Sequence, residues 1–215
     1  MALALFAHPF SSYCWKVLIP LYENATPFDY RSLEVPENGA ELARLWPLAK
    51  FPLLVDDGVP VMESSIIIEH LQRHHPGPVP LIPEGDAALE VRMLDRIFDN
   101  HVMAQMQRVV NNALRPPERR DPIEVDQAKA MLDKAYGWLE TWLDGREWAS
   151  GGFSLADCAA APALFYADWV HLIAETHPRL RAYRARLLAR PTIARVVDEA
   201  RPYRSYFPPG APDRD

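Results

Sequence analysis

Two stretches of the chain gather side chains able to do chemistry. One is "SSYC", where Ser11, Ser12, Tyr13 and Cys14 put two hydroxyls, a phenol and a thiol in consecutive positions. The other is "AKFPLLVDDGVPVMESSIII" at 49–68, in which Lys50, Phe51 and Pro52 precede one apolar run and Glu63 and Ser64 precede another. A small hydroxyl residue opening an apolar segment reads as a helix start, and the free amides there attract carboxylates and other anions. Each stretch therefore either connects elements or holds an anionic ligand.

The elements that must position these groups follow from periodicity. Residues 2–7 are a short continuous apolar run suited to an inner strand, and the SSYC segment starts a helix through Val17 and Leu21. Pro20 is expected to kink or end that helix near Lys16 to Ile19, since an interior proline costs about 3 kcal/mol. A strand at 28–33, a short polar helix at 38–44, strands at 52–56 and 59–62 joined by Asp57-Gly58, and a helix from Ser64 to about His74 complete an α/β unit over residues 1–75. Prolines at 76, 78, 80 and 83 make 76–86 an extended linker. Beyond it, 87–201 reads as all helix. Val91, Leu94, Phe98, Val102, Met106 and Val109 recur at helical spacing, as do Ala128, Leu132, Ala135, Leu139 and Trp142. In "FSLADCAAAP" Ser154 caps a helix while Asp157 reaches back to the Ser154 amide, and 202–215 is a proline-rich tail.

Composition limits the function classes. With 49% apolar residues the chain buries a core, and 23 basic against 29 acidic side chains argue against a phosphate-backbone partner, so no nucleic acid is expected. Two cysteines, Cys14 and Cys158, make no disulfide framework and fit a reducing, cytoplasmic home. The opening MALALFAHPF lacks a basic n-region, and no run approaches a membrane span of roughly 18 apolar residues, so no membrane association is expected.

The order and spacing of these motifs resemble the glutathione transferase superfamily across nearly the whole chain. "SSYCWKV" is similar to the start of the first helix in serine-type classes of theta-like and zeta-like character, and "LWPLAKFPLLVDDGVPVMESSIIIEHL" resembles the glutathione-site segment. "PVPLIPEGDAALEVRML" resembles the linker and fourth helix, and "FSLADCAAAP" the capping box of the sixth. Departures exist: Phe6-Ala7-His8 stands where the tyrosine-type classes carry their tyrosine, and Trp46-Pro47 replaces the usual asparagine-proline.

The resemblance implies an N-terminal thioredoxin-like domain (βαβ-α-ββα) followed by an all-α bundle. It implies a homodimer that binds glutathione as co-substrate, without a metal, for detoxification-type transfer to a small hydrophobic electrophile. Pro52 would be a cis-proline, and Phe51 would pair its backbone with the cysteinyl residue of the tripeptide by strand addition. Ser64 would hold the γ-glutamyl carboxylate, Glu63 the neighbouring ammonium, and Lys50 the glycyl carboxylate. Ser11, with Ser12 as second choice, would donate to the sulfur. Lowering a thiol pKa of about 8.5 by two units needs roughly 2.7 kcal/mol, which one charge-assisted hydrogen bond and a helix amino terminus supply. Cys14 reads as a packed small residue. The acceptor would lie between Phe10 to Ser12 and the stretch Met103, Met106 and Gln107. Two other readings stay open: a glutathione-dependent cis-trans isomerase, and a non-catalytic binding or regulatory protein of the same fold.

Other signals carry less. His70 and His74 form an i, i+4 pair with His75 adjacent, but the sequence shows no third ligand, and histidines near a helix carboxyl end complement its dipole. "GGFSLA" misses the G-x-S-x-G elbow by one residue. The tryptophans at 138, 142, 148 and 169 recur at helical spacing as core or interface residues.

Overall fold

The computed structural model describes residues 3–215. Its N-terminal part is a four-stranded mixed sheet in the order β2-β1-β3-β4. Strand β1 (Leu3–Ala7) runs parallel to β2 (Asp29–Ser32) and antiparallel to β3 (Leu53–Asp56), which pairs antiparallel with β4 (Val59–Val61). The predicted start of the first strand, Ala2, lies outside the described residues. β1 is an inner strand with both faces covered, which is why it reads as unbroken apolar sequence. Leu3, Leu5, Ala7 and Leu54 join the main core, while Phe6 and Leu53 point the other way and pack with Leu42. Asp57 and Gly58 both have positive φ, 47° and 85°, as the tight turn of a β3-β4 hairpin requires.

Helix α1 (Ser12–Glu23) follows β1, α2 (Pro36–Leu45) follows β2, and α3 (Ser64–His74) follows β4. The expected break in α1 does not occur; the helix passes through Pro20 without interruption. Leu18, Ile19 and Leu21 are almost fully buried there. At about 1.5–3 kcal/mol for each buried aliphatic side chain, their packing outweighs the roughly 3 kcal/mol penalty of the proline.

The linker is pinned rather than loose. The Gln72 side chain accepts from the Leu81 and Ile82 amides at 2.8 Å and donates to the Ile82 carbonyl at 2.7 Å. Beyond it stand α4 (Asp86–Ile97), α5 (Ala104–Leu114), α6 (Pro122–Trp142), α7 (Leu155–Val170), α8 (Pro178–Ala189) and α9 (Pro191–Ala200). The periodic run predicted from Val91 to Val109 is helical throughout, but a π-helical stretch, Phe98–Met103, separates α4 from α5. Helix α7 is buried from Leu155 to Trp169. Its Asp157 carboxylate accepts from the Ser154 amide at 2.8 Å, as expected, and also from the Ala149 amide and the Tyr183 hydroxyl at 3.0 and 2.6 Å. The tail turns back as a 3-10 helix, Arg201–Tyr206, and buries Phe207 against Trp169 and Phe10 at ring separations of 5.1 and 6.5 Å. Among the described residues no helix is long and apolar enough to cross a membrane.

Candidate active site

Two adjoining cavities collect most of the predicted residues. The first, about 740 Å³, is lined by Lys50, Phe51, Pro52, Glu63 and Ser64, together with Trp46, Ser65, Arg96 and Asp99. The second, about 510 Å³, is lined by Phe10, Ser11, Ser12, Met106 and Gln107, with Tyr166, Tyr206 and Phe207. Tyr13, Lys50 and Phe51 line both, so the two spaces adjoin at those side chains. A further hollow of about 740 Å³, lined by Tyr22, Phe28 and Arg195 among others, contains none of the predicted residues.

The amino end of α1 sets the first group of side chains. Ser11 is the N-cap: its backbone is extended (φ −85°, ψ 123°) and its Oγ accepts from the Cys14 amide at 3.4 Å. A hydroxyl accepting with its lone pair keeps its own proton for donation elsewhere. Ser12 begins the helix beside it. Cys14 is fully buried, and burial pushes its thiol up to about 12 despite a lowering contact from Ser11. Cys158 is buried and pushed up likewise. Neither thiol is a nucleophile at neutral pH, which agrees with reading Cys14 as a packing residue. Burial, then the Asp99 charge, pushes the Tyr13 hydroxyl up to about 12, so it stands as a protonated donor.

The second group comes from the entry to β3 and the start of α3. The Phe51–Pro52 peptide is cis, as expected. Pro52 is buried while Phe51 is 41% exposed, one residue ahead of the cis-proline and outside the sheet ladder that begins at Leu53. Glu63, not Ser64, is the N-cap of α3, and it makes no side-chain capping bond. Its backbone, φ 68° and ψ 117°, lies in sparsely populated space that costs on the order of 1–3 kcal/mol, and such residues cluster at ligand sites. Ser64 is the first helical residue and is buried. Ser64, Ser65 and Ile66 of the first turn of α3 line the first cavity, and no N-cap side chain bonds their amides.

The same cavity wall carries a charge cluster, buried except for Arg96, that joins the sheet domain to the helical domain. Lys16, 1% exposed, places Nζ 2.5 Å from Asp95 Oδ1, 2.7 Å from Asp99 Oδ2 and 2.9 Å from Ser65 Oγ. Ser65 donates to Asp95 Oδ2 at 2.8 Å, and Arg96 closes the network at 2.6 Å from both carboxylates and also donates to Ser65. Burial holds the Asp99 carboxyl above its ordinary range, against the pull of Lys16. A lysine inside "CWKVLIPL" was the available sequence signal, because a buried lysine requires carboxylate partners; which carboxylates those are depends on a helix more than seventy residues away.

One predicted residue falls elsewhere. Met103 is 1% exposed, belongs to the core and lines neither cavity. It is the last residue of the π-helical stretch, whose wider turns shift side-chain phase relative to a 3.6-residue period. Residues not anticipated include Trp46, Tyr166, whose hydroxyl donates to the Phe10 carbonyl at 2.9 Å, and Tyr206 and Phe207 of the tail. The histidines near the end of α3 also acquire a third partner absent from the sequence reading: Asp56, at the end of β3, receives both His70 and His75.

Comparisons with known proteins agree with this architecture. The family model for the glutathione S-transferase N-terminal domain matches residues 5–79, and that for the glutathione S-transferase C-terminal domain matches 102–191. The chain is 27% identical over 213 residues to the probable maleylacetoacetate isomerase of Vibrio cholerae, covering 94% of this chain and 98% of that protein. It is 26% identical over 164 residues to a stringent starvation protein A homolog of Coxiella burnetii, covering 76% of this chain and 75% of that protein. Among solved structures, a glutathione S-transferase from Methylobacterium radiotolerans in complex with glutathione sulfonate superposes with a TM-score of 0.78 at 28% identity, covering 92% of this chain and 95% of that one.

Proposed function

The chain belongs to the glutathione S-transferase family, and we propose that it is a glutathione transferase that activates the thiol of bound glutathione for attack on a small apolar electrophile. The observation carrying this reading is the convergence of Ser11, Phe51, Glu63 and Ser64 on two cavities that share Tyr13, Lys50 and Phe51. The tripeptide lies extended in the larger cavity. Phe51 offers its backbone to the cysteinyl residue, the uncapped start of α3 with Ser64 takes the γ-glutamyl carboxylate, Glu63 accepts from the adjacent ammonium, and Lys50 faces the glycyl carboxylate. The Ser11 hydroxyl donates to the sulfur, with Ser12 beside it, and the thiol proton leaves to solvent. The smaller cavity, with Phe10, Met106 and Gln107, receives the electrophile beside that sulfur.

Similarity to the Vibrio cholerae protein over nearly the full chain supports a second reading, in which the sulfur adds to a maleyl compound and leaves again after rotation. Product analysis with a maleyl substrate and with an aryl halide separates isomerisation from conjugation. In either case the chain acts as a cytoplasmic homodimer, with the exposed Ile66, Leu89 and Met93 of α3 and α4 supplying apolar contact.

Calorimetric titration of glutathione tests the shared premise. Saturable binding to the wild-type protein, at least tenfold weaker in Glu63→Ala, is expected. No binding at millimolar glutathione would overturn both enzyme readings in favour of a non-catalytic role.

A further inference from the structure

A carboxylate and two imidazoles converge beside the end of α3 remote from Glu63 and Ser64. Asp56 closes β3, where it pairs with Leu3 and Val59. His70 lies in α3, and His75 is the C-cap, its amide donating to the Leu71 carbonyl at 2.8 Å. The Nε2 atoms of His70 and His75 stand 2.8 and 2.7 Å from the same oxygen, Oδ2 of Asp56. The three ligand atoms lie within 4.8 Å of one another. Oδ1 of Asp56 is buried and has no hydrogen-bond partner among the described residues. Two nitrogens therefore crowd one oxygen while its twin, though buried, has no partner, an imbalance that calls for an explanation in a partly buried carboxylate.

We propose that Asp56, His70 and His75 form a binding site for one borderline divalent cation of the Zn²⁺ type. Two imidazoles and one carboxylate suit Zn²⁺, Co²⁺ or Ni²⁺ better than Mg²⁺ or Ca²⁺, which favour all-oxygen sets. With metal–ligand bonds of about 2.0–2.2 Å, neighbouring ligand atoms of a tetrahedron sit roughly 3.3 Å apart. Both nitrogens must thus withdraw from Oδ2 by about half an ångström as the ion enters between them. Each imidazole would coordinate through the Nε2 lone pair of its neutral form, the ring proton residing on Nδ1. Side-chain exposures of 21% for His70, 14% for His75 and 13% for Asp56 leave an entry for the ion and a fourth position for water. His74, the i+4 neighbour that the sequence pairs with His70, is outside the trio: its ring packs against His70 at a tilt of 36°, with centroids 4.5 Å apart. The ion would cross-link the end of β3 to the end of α3, the helix whose other end carries Glu63 and Ser64.

The test uses the full chain without a histidine tag, dialysed against chelator, then titrated with Zn²⁺ by calorimetry and with Co²⁺ by visible absorption. One ion per chain is expected, with binding at least tenfold weaker in His70→Gln and in His75→Gln and unchanged in His74→Gln. Added Zn²⁺ is expected to raise the melting temperature of the wild type and of His74→Gln only. Asp56→Asn should also lose the site; if that variant fails to fold, as circular dichroism will show, the two histidine variants decide the matter. No saturable uptake, or equal uptake by His70→Gln and His75→Gln, would overturn the site and leave the trio as a hydrogen-bonded staple. Because none of these readouts involves glutathione, the outcome is independent of the proposed enzymatic activity.

Discussion

Replacing Ser11 by alanine removes one hydroxyl with two partners of unequal value. Its bond to the Cys14 amide is long, 3.4 Å, so loss of the cap should cost no more than about 1 kcal/mol of stability. Its proposed bond to the glutathione sulfur is charge-assisted and contributes about 1.5–3 kcal/mol to the thiolate alone. At 1.36 kcal/mol per unit, the pKa of the bound thiol should rise by roughly one to two units in Ser11→Ala. The sign follows: the reactive form is the thiolate, present above that pKa, so a raised pKa depletes it at neutral pH and spares it in alkali. With the wild-type thiol lowered from about 8.5 by two units, conjugation measured as kcat/KM should fall roughly 4- to 40-fold at pH 7, and the deficit should shrink about tenfold per pH unit until the variant thiol also ionises. The assay is the ultraviolet thiolate band of the glutathione complex, titrated in wild type, Ser11→Ala and Ser12→Ala, alongside the rate profile. An unchanged thiol pKa in Ser11→Ala with a raised one in Ser12→Ala would move the role to Ser12. No change in either would show that the helix amino terminus alone holds the thiolate, refuting the serine argument.

Other outcomes follow from the same structure. Lys16→Met leaves Asp95 and Asp99 with only Arg96 for compensation, and breaking a buried pair costs about 3–5 kcal/mol, so thermal denaturation should show a melting point lower by roughly 6 °C or more; an unchanged melting point would mean that the cluster contributes no net stability. Iodoacetamide at pH 8 should leave Cys14 and Cys158 unmodified in the native protein and label both after denaturation, by mass spectrometry, since burial has pushed both thiols up. Lysines at both Leu89 and Met93, which are 66% and 43% exposed, should convert a dimer to monomers in sedimentation velocity, whereas a wild-type monomer would remove the dimer from the proposal.

Much of the site was legible in sequence because its information is local. An Asp-Gly pair between two apolar runs specifies a positive-φ hairpin turn within four residues. The hydroxyl at Ser11 and the pair Glu63-Ser64 mark helix starts by residue type, and their cavities follow once those helices pack on the sheet. Likewise, the unbroken apolar run of β1 marks an inner strand without coordinates, whereas the division of Leu3, Leu5 and Ala7 from Phe6 between its two faces is seen only in the fold.

What tertiary structure alone decided depends on contacts between distant segments. Pro20 stays helical because its neighbours are buried, and propensity contains no measure of that burial. Met103, which the resemblance placed at the acceptor site, is turned into the core, while Met106 and Gln107 one turn on line the cavity. Lys16 finds Asp95 and Asp99, Phe10 finds Phe207, and His70 and His75 find Asp56 only when the sheet, the bundle and the tail are brought together. Sequence by itself determined which elements form, since helix and strand signals arise among near neighbours; the partners of each buried charge and imidazole were set by packing, which acts across the whole chain.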